Sequence, residues 1–459
     1  MSRKSVLLIV PPVLYAKSWW GNRTANKPHL ASLVGYVRDL AEVRILELDL
    51  RNDDDSEAQL SLIDEQLREP VSLVGISCWT SMHYLGTIAV AERVRNLAPE
   101  IPIVVGGHHP TARPNDFNHA ICDWVVAGDG EYFLRDLCKE WPARPHEMQI
   151  VHGRLFDQSN PEHVDWEHYG RPGKKERVLW IGTSRGCSFQ CKFCVEPQRS
   201  STYSRYSVND TLAIIEHLVK THQPSVIAFS DPLFGADRRW TEAFLDGVQH
   251  RSLPVMFWAE TRADLMSPQL LESFKQSGFM LDFGLDTASK IMIERMEKSA
   301  NPDRYLAKSK TTLENADRLG LLHGIYLLFN YPGETPETVL ETKRFIDDLG
   351  IQEGSMSGWL SSQSFFILPG TDAYNRMSEY ETSFGTEIFH PNWWLEREDQ
   401  YALATNVLPS STWKERQNEL FAFQHWNHEV NLRWTSRYSS EVREFCNAIY
   451  SDASSRIGL

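Results

Sequence analysis

The feature that most constrains the fold is an alternation that stops once and then restarts. Near-continuous apolar runs are separated by stretches with helical spacing. Before residue 140 the runs are SVLLIV (5–10), VRILELDL (43–50), VSLVGISC (71–78), IPIVVGG (101–107) and CDWVVAGDGE (122–131). HLASLVGYVRDL (29–40) is the clearest amphipathic helix among them. Strands apolar on both faces, alternating with helices, build a parallel sheet covered on both sides. Residues 1–140 are therefore expected to form a doubly wound, Rossmann-like α/β sheet, with ligands at the carboxyl ends of its strands.

Residues 141–178 are polar, carry Pro and His, and end in GRPGKKE, which reads as a linker. From 179 the alternation resumes with VLWIGTS, SVIAFSD, VMFWAE, MLDFGLD, HGIYLLFN and SSQSFFIL. Six strand–helix repeats predict a partial β/α TIM-type barrel over 179–375. Beyond it, Trp393, Trp394, Trp413, Trp426 and Trp434 sit in a polar stretch. Residues 376–459 are expected to form a helical tail that caps the open barrel mouth, with most of its tryptophans packed.

A net charge of −14, from 47 basic and 61 acidic residues, argues against a nucleic-acid binder. No apolar stretch is long enough to span a membrane, so no membrane association is expected. The opening MSRKSVLLIVPP has a short apolar run closed by two prolines and no small-residue cleavage pattern, so it reads as a buried strand, not a signal peptide. Seven cysteines, three of them clustered, do not suggest a disulfide framework; a reduced, cytoplasmic setting is expected.

Three strand-end turns stand out: SCWTSMH (77–83), GGHHPT (106–111) and AGDGE (127–131). Any one tight turn needs Gly and capping residues for its own sake. Three on one sheet edge point to a ligand site, with Ser77, Thr80, Gly106, Gly107, His108, His109, Gly128 and Glu131 as candidates. None matches the GxGxxG dinucleotide fingerprint.

The densest chemical signal is CSFQCKFC (187–194), with Cys187, Cys191 and Cys194 on one loop after a strand. Structural zinc needs four ligands, and the nearest later histidines, His217 and His222, lie beyond a turn and a helix. An iron–sulfur cluster with one iron left open needs only three thiolates.

TSRGCSFQCKFC (183–194), opening a β/α barrel, closely resembles the signature of the radical S-adenosylmethionine (SAM) enzymes. The resemblance implies a 4Fe–4S cluster on Cys187, Cys191 and Cys194, an open iron that chelates SAM, and reductive cleavage of SAM to a 5′-deoxyadenosyl radical. It also implies SAM contacts from Phe193 in the motif, Ser230 and Asp231 in FSDPLFG (229–235), and Arg262 in WAETRADLMS (258–267). Asp286 in DFGLDT stands where the family has Glu, and Asn330 in LLFNYPGET stands where it has Gly. ILPGT (367–371) resembles the closing strand's PGT. Each segment has a local alternative: a helix cap for Asp286, a surface ion pair for Arg262, a plain turn at Pro332–Gly333.

GGHHPT and AGDGE in turn resemble the cobalamin-binding domain that precedes the barrel in one radical SAM subgroup, with Asp129 in place of its first Glu. The resemblance covers about 5–140 and 178–375. No DxHxxG motif is present, so no lower cobalt ligand is named; His83, His108 and His109 qualify by position only. After Cys194 the only cysteine is Cys446, which excludes a second cluster. Cys446 has helical spacing with Val442 and Ile449 and reads as a core residue, or else as a hydrogen-atom donor.

The resemblance implies a cobalamin-dependent radical SAM methyltransferase acting on an unactivated carbon of a small-molecule or peptide substrate. The partner it implies is an external electron donor such as flavodoxin or ferredoxin. A radical epimerase, rearrangement or cyclisation enzyme is the alternative outcome, and a cofactor-based sensor a third.

Overall fold

The computed structural model describes residues 3–15, 27–49, 56–157, 178–199, 203–349, 360–416 and part of 418–430. The first sheet is parallel: β1 Ser5–Val10, β2 Glu42–Glu47, β3 Leu73–Ser77, β4 Ile103–Gly106, β5 Trp124–Ala127 and β6 Gln149–His152, in the order β2-β1-β3-β4-β5-β6. The winding direction reverses between β1 and β3, which opens a crevice at their carboxyl ends. Helices α1 Pro28–Val37 and α5 Glu131–Glu140 pack together, as do α2 Ser56–Leu67 and α3 Tyr84–Leu97. Leu8, Val104 and Val126 lie in the core with α1 and α5. Leu7, Ile9, Val74 and Val105 lie in the core with α2 and α3. This even division of apolar residues is why the strands read as continuous apolar runs.

β6 lies in the stretch expected to be linker. Its side chains are mostly exposed, as befits an edge strand, so hydropathy gives little sign of it. The chain then folds back against the sheet edge: Phe156 is fully buried, and its N–H donates to Asp129 at 2.9 Å.

The second sheet has six parallel strands in the order β14-β13-β12-β11-β10-β7. They are β7 Val178–Ile181, β10 Val226–Phe229, β11 Met256–Thr261, β12 Phe279–Asp286, β13 His323–Phe329 and β14 Leu360–Ser364. β7 and β14 form its edges, so this is the expected partial barrel. A short antiparallel pair, β8 Ser184–Arg185 with β9 Ser204–Arg205, brackets the cysteine loop. The long helices start where side chains cap them: Ser207, Asp237, Ser267, Asn301 and Thr335 each accept an N–H of the first turn. Prolines 268, 302 and 336 follow three of those caps, where a missing N–H costs nothing.

The described part of the tail mixes short helices with an antiparallel pair, Glu387–Ile388 against Val407–Leu408, and is not simply helical. Pro391 and Pro409 help interrupt it. Trp393 and Trp394 are fully buried in one apolar core with Ile9, Val105 and Phe117 of the first domain. Trp394 donates its indole N–H to Asp116 at 3.0 Å, and the Gln400 N–H donates to the Tyr15 carbonyl at 2.6 Å. Trp413 and Trp426 join the barrel's outer core, and Trp434 lies outside the described residues. Trp393 and Trp394 thus join the tail to the first domain, and the tail's described tryptophans are packed in the cores, as expected for most of them. No described helix is long and apolar enough to cross a membrane.

Candidate functional site

A cavity opens at the carboxyl edge of the first sheet and runs between the sheet and helices α1 and α5. Its floor is hollow because two strand positions on that side carry no side chain. A Cβ on Gly75 would lie 2.7 Å from the Leu8 side chain, whereas one on Gly106 would meet only Val126, at 3.9 Å. Leu30, Leu33, Phe133 and Leu134 supply an apolar wall, and His29, Trp79 and Arg185 stand at the rim with the glycine turns.

Of the residues expected there, Ser77, Gly106, Gly107, His108, Gly128 and Glu131 line the cavity. Ser77 hydrogen-bonds His29 at 3.0 Å. Thr80 and His109 do not line it. Thr80 turns to His83, with Oγ1 3.0 Å from Nδ1. His109 is buried between Ser81 at 2.8 Å and Asp116 at 3.3 Å, and burial lowers its pKa despite the nearby carboxylate. His83 is fully buried on the Asp49 side, with Nε2 3.9 Å from that carboxylate. Of the three histidines considered as lower ligands, only His108 reaches the cavity. Gly75 and His29 were not anticipated, and Trp79 entered only as part of the SCWTSMH turn. A glycine inside an apolar strand was the available signal for the first.

The cysteine loop is held at both ends. On the barrel side, Asp231 accepts the Thr183 N–H at 3.1 Å, the Thr183 hydroxyl at 2.7 Å and the Ser184 hydroxyl. Burial nonetheless raises the Asp231 pKa. On the first-domain side, Arg185 pairs with Asp129 at 3.1 Å and Glu131 at 2.5 Å, and donates to Ser32 at 3.0 Å. Beyond the turn, the Lys192 N–H donates to the Met296 carbonyl at 2.9 Å.

The three thiols do not gather round a single ion-sized point among the described residues. Arg262 Nη1 lies 3.8 Å from the Cys191 sulfur, and the guanidinium stacks on Phe189 at 4.1 Å. Burial pushes the Cys194 thiol up to about 12 and raises Cys191, while Lys298 and Arg262 pull Cys191 back down. Three thiols flanked by fixed cations suit a metal–sulfur group, which drives coordinated thiols into the thiolate form.

Arg262 is itself engaged by Asp264 at 2.9 Å and the Lys298 carbonyl at 2.9 Å, so it buttresses the loop. Asp286 ends β12 with a positive φ of 60° and is ion-paired to Lys298, whose ammonium also lies 5.6 Å from the Phe193 ring. Lys298, missed in the sequence, therefore links Asp286 to the cysteine motif. Ser230 is exposed, with its hydroxyl on the Ile181 carbonyl at 3.1 Å. Cys446 lies outside the described residues.

Replacing Asp286 by Ala is expected to weaken SAM binding and also to lower thermal stability, because it strands a buried ammonium. Breaking such a pair costs roughly 3–5 kcal/mol. Asp286→Asn with Lys298→Met should recover the melting temperature but not SAM binding, measured by calorimetry of both variants.

Asn330 also has a positive φ, of 61°, and its N–H donates to Glu334 at 2.6 Å. The other Glu334 oxygen and the Asn330 amide oxygen are buried without hydrogen-bond partners among the described residues. Burial pushes the Glu334 carboxyl up to about 8. Between the ordinary carboxyl range and pH 8, the folded chain then holds a proton that the unfolded chain has lost. Stability should fall across that window as pH rises, by up to about 1.4 kcal/mol per pH unit. Glu334→Gln should flatten this slope in denaturation measured from pH 5 to about 8.5.

Comparison with known proteins agrees with this geometry. Residues 27–138 match the B12 binding domain and residues 181–346 match the Radical SAM superfamily, together more than half of the chain. The chain belongs to the radical SAM enzymes that carry an N-terminal B12-binding domain, and its cofactors are a 4Fe–4S cluster, SAM and cobalamin.

Among solved structures it resembles the radical SAM methyltransferase TsrM from Kitasatospora setae, solved with tryptophan and a SAM analogue. The TM-score is 0.69 at 17% identity, covering 92% of this chain and 89% of that one. The cobalamin-dependent enzyme OxsB matches with TM-score 0.56 at 18% identity, over 82% of this chain and 56% of OxsB. An uncharacterized methyltransferase of Pyrococcus horikoshii is 24% identical over 376 residues, 76% of this chain and 79% of that protein. The anaerobic magnesium-protoporphyrin IX monomethyl ester cyclase of Rubrivivax gelatinosus is 23% identical over 354 residues, 70% of this chain and 61% of the cyclase.

Proposed function

We propose that this chain is a cobalamin-dependent radical SAM methyltransferase that methylates an unactivated carbon of a small-molecule substrate. The observation that carries the reading is the joining of the two sites. Arg185, two residues before the first cluster cysteine, stands in the wall of the first-domain cavity. The bound cofactors supply hydrogen abstraction from carbon and a transferable methyl group.

The chain's own residues do the positioning. Cys187, Cys191 and Cys194 hold the cluster, and Arg262 fixes the loop from beneath. Asp286, held by Lys298, and the exposed Ser230 serve SAM. The glycine-edged cavity holds cobalamin. The apolar core shared by the two domains and the tail keeps the sites at a fixed separation, as transfer between held reactants requires. TsrM, solved with tryptophan, covers nearly the whole chain, and this supports a small-molecule substrate over a peptide. The reducing electron comes from an external donor such as flavodoxin or ferredoxin.

The test is anaerobic reconstitution with hydroxocobalamin and methyl-labelled SAM over a panel of small molecules. Label in the product, with 5′-deoxyadenosine formed alongside, is the expected result. If 5′-deoxyadenosine forms without methyl transfer and no cobalamin binds, the methyltransferase reading fails and a cobalamin-free radical isomerisation takes its place.

A further inference from the structure

We infer that Arg185 is a positioning residue that couples the two cofactor sites: gripped by Asp129 and Glu131 in the cavity wall, it holds the start of the cysteine loop against the cobalamin edge. The inference rests on the reading of that cavity as the cobalamin site.

Arg185 has 11% of its side chain exposed, and its partners Asp129 and Glu131 have 9% and 3%. An ion pair this buried is held firmly, because separating it strands charges away from water. Its planar fork reaches both carboxylates at once, and the guanidinium also lies 5.0 Å from the Phe156 ring. Asp129 and Glu131 flank Gly130, the N-cap of α5, and line the cavity, so a ligand entering the cavity meets the same residues that hold Arg185.

The Arg185 and Cys187 Cα atoms are at most roughly 7 Å apart along the chain. Thr183 and Ser184 on the other side are pinned by Asp231. A shift of the α5 terminus is therefore passed forward to Cys187, because the chain behind Arg185 is fixed. An independent contact repeats the arrangement at the loop's far end. There α6 Glu196–Arg199 packs on α4 His108–Ala112, which begins at the cavity rim. The cysteine loop is thus spanned by two attachments to one ligand edge.

Occupancy of the cavity and order in the loop should then be linked, and such linkage is reciprocal. The measurement is hydrogen–deuterium exchange over residues 183–195 in the full chain with its cluster loaded, with and without hydroxocobalamin. In the wild type, cobalamin should slow exchange there by about tenfold. Arg185→Met with Glu131→Gln removes a cation and an anion together, limiting the buried imbalance. At hydroxocobalamin concentrations that saturate its absorbance titration, this variant should lose the effect on the loop. Arg185→Lys keeps the charge without the two-limbed fork and should show a reduced effect, which serves if the double variant does not fold. Equal slowing in wild type and either folded variant overturns the coupling while leaving the cobalamin reading intact. A wild-type chain that binds no cobalamin overturns both.

Discussion

Cys191→Ala is expected to leave anaerobic reconstitution with little iron or sulfide and to produce no 5′-deoxyadenosine from SAM. Cys191 is the most enclosed of the three thiols, at 8% exposure. It sits between the Arg262 guanidinium and the turn closed by the Cys194 N–H on its own carbonyl, at 3.1 Å. Alanine removes one of three thiolates and leaves Arg262 facing a gap, so neither the cluster nor its open iron persists. The fold should survive, because Arg262 keeps Asp264 and the Lys298 carbonyl. Iron and sulfide analysis, absorbance and product chromatography check the three parts. Unchanged SAM turnover in a cluster-bearing Cys191→Ala protein would refute the assignment.

Gly106→Leu is expected to abolish cobalamin binding, by at least about a hundredfold, in a chain that remains folded. The cost comes from filling the cavity, since every ~1.4 kcal/mol of displaced contact is a factor of ten. A Cβ at this position meets no internal obstruction, so the new side chain is free to fill the cavity floor. The neighbouring Gly107 is the wrong choice for this experiment. Its φ of +123° suits only glycine, and a Cβ there would lie 2.4 Å from the Cys78 carbonyl oxygen. Gly107→Leu should lower thermal stability with no ligand present, so its loss of cobalamin would not locate the site. Titration with hydroxocobalamin beside a thermal melt separates the two variants. Tight binding by Gly106→Leu would place the cofactor elsewhere.

Much of the architecture was legible from local pattern. The central parallel strands, buried on both faces, write near-continuous apolar runs, and the three clustered cysteines stand within one short loop. β6 was not legible, because an edge strand with exposed side chains is stabilised by pairing to β5 and not by its own hydropathy. The described tail was legible only in part. Its tryptophans read as mostly packed, but not against what, since Asp116 and the first-domain core are hundreds of residues away in sequence.

The sequence by itself determined the two α/β domains, the three-thiol loop and the glycine-rich edge, since these follow from spacing between near neighbours. Only the tertiary structure decided what each polar residue of those motifs serves. Asp231 holds the loop's approach, Glu131 holds Arg185, His83 and His109 face the carboxylates of Asp49 and Asp116, and Lys298 pairs with Asp286. A buried polar group must find a partner, and that partner is set by which strands and helices the fold brings alongside. A motif fixes the kind of residue at a site, whereas packing across distant segments fixes which atom it touches.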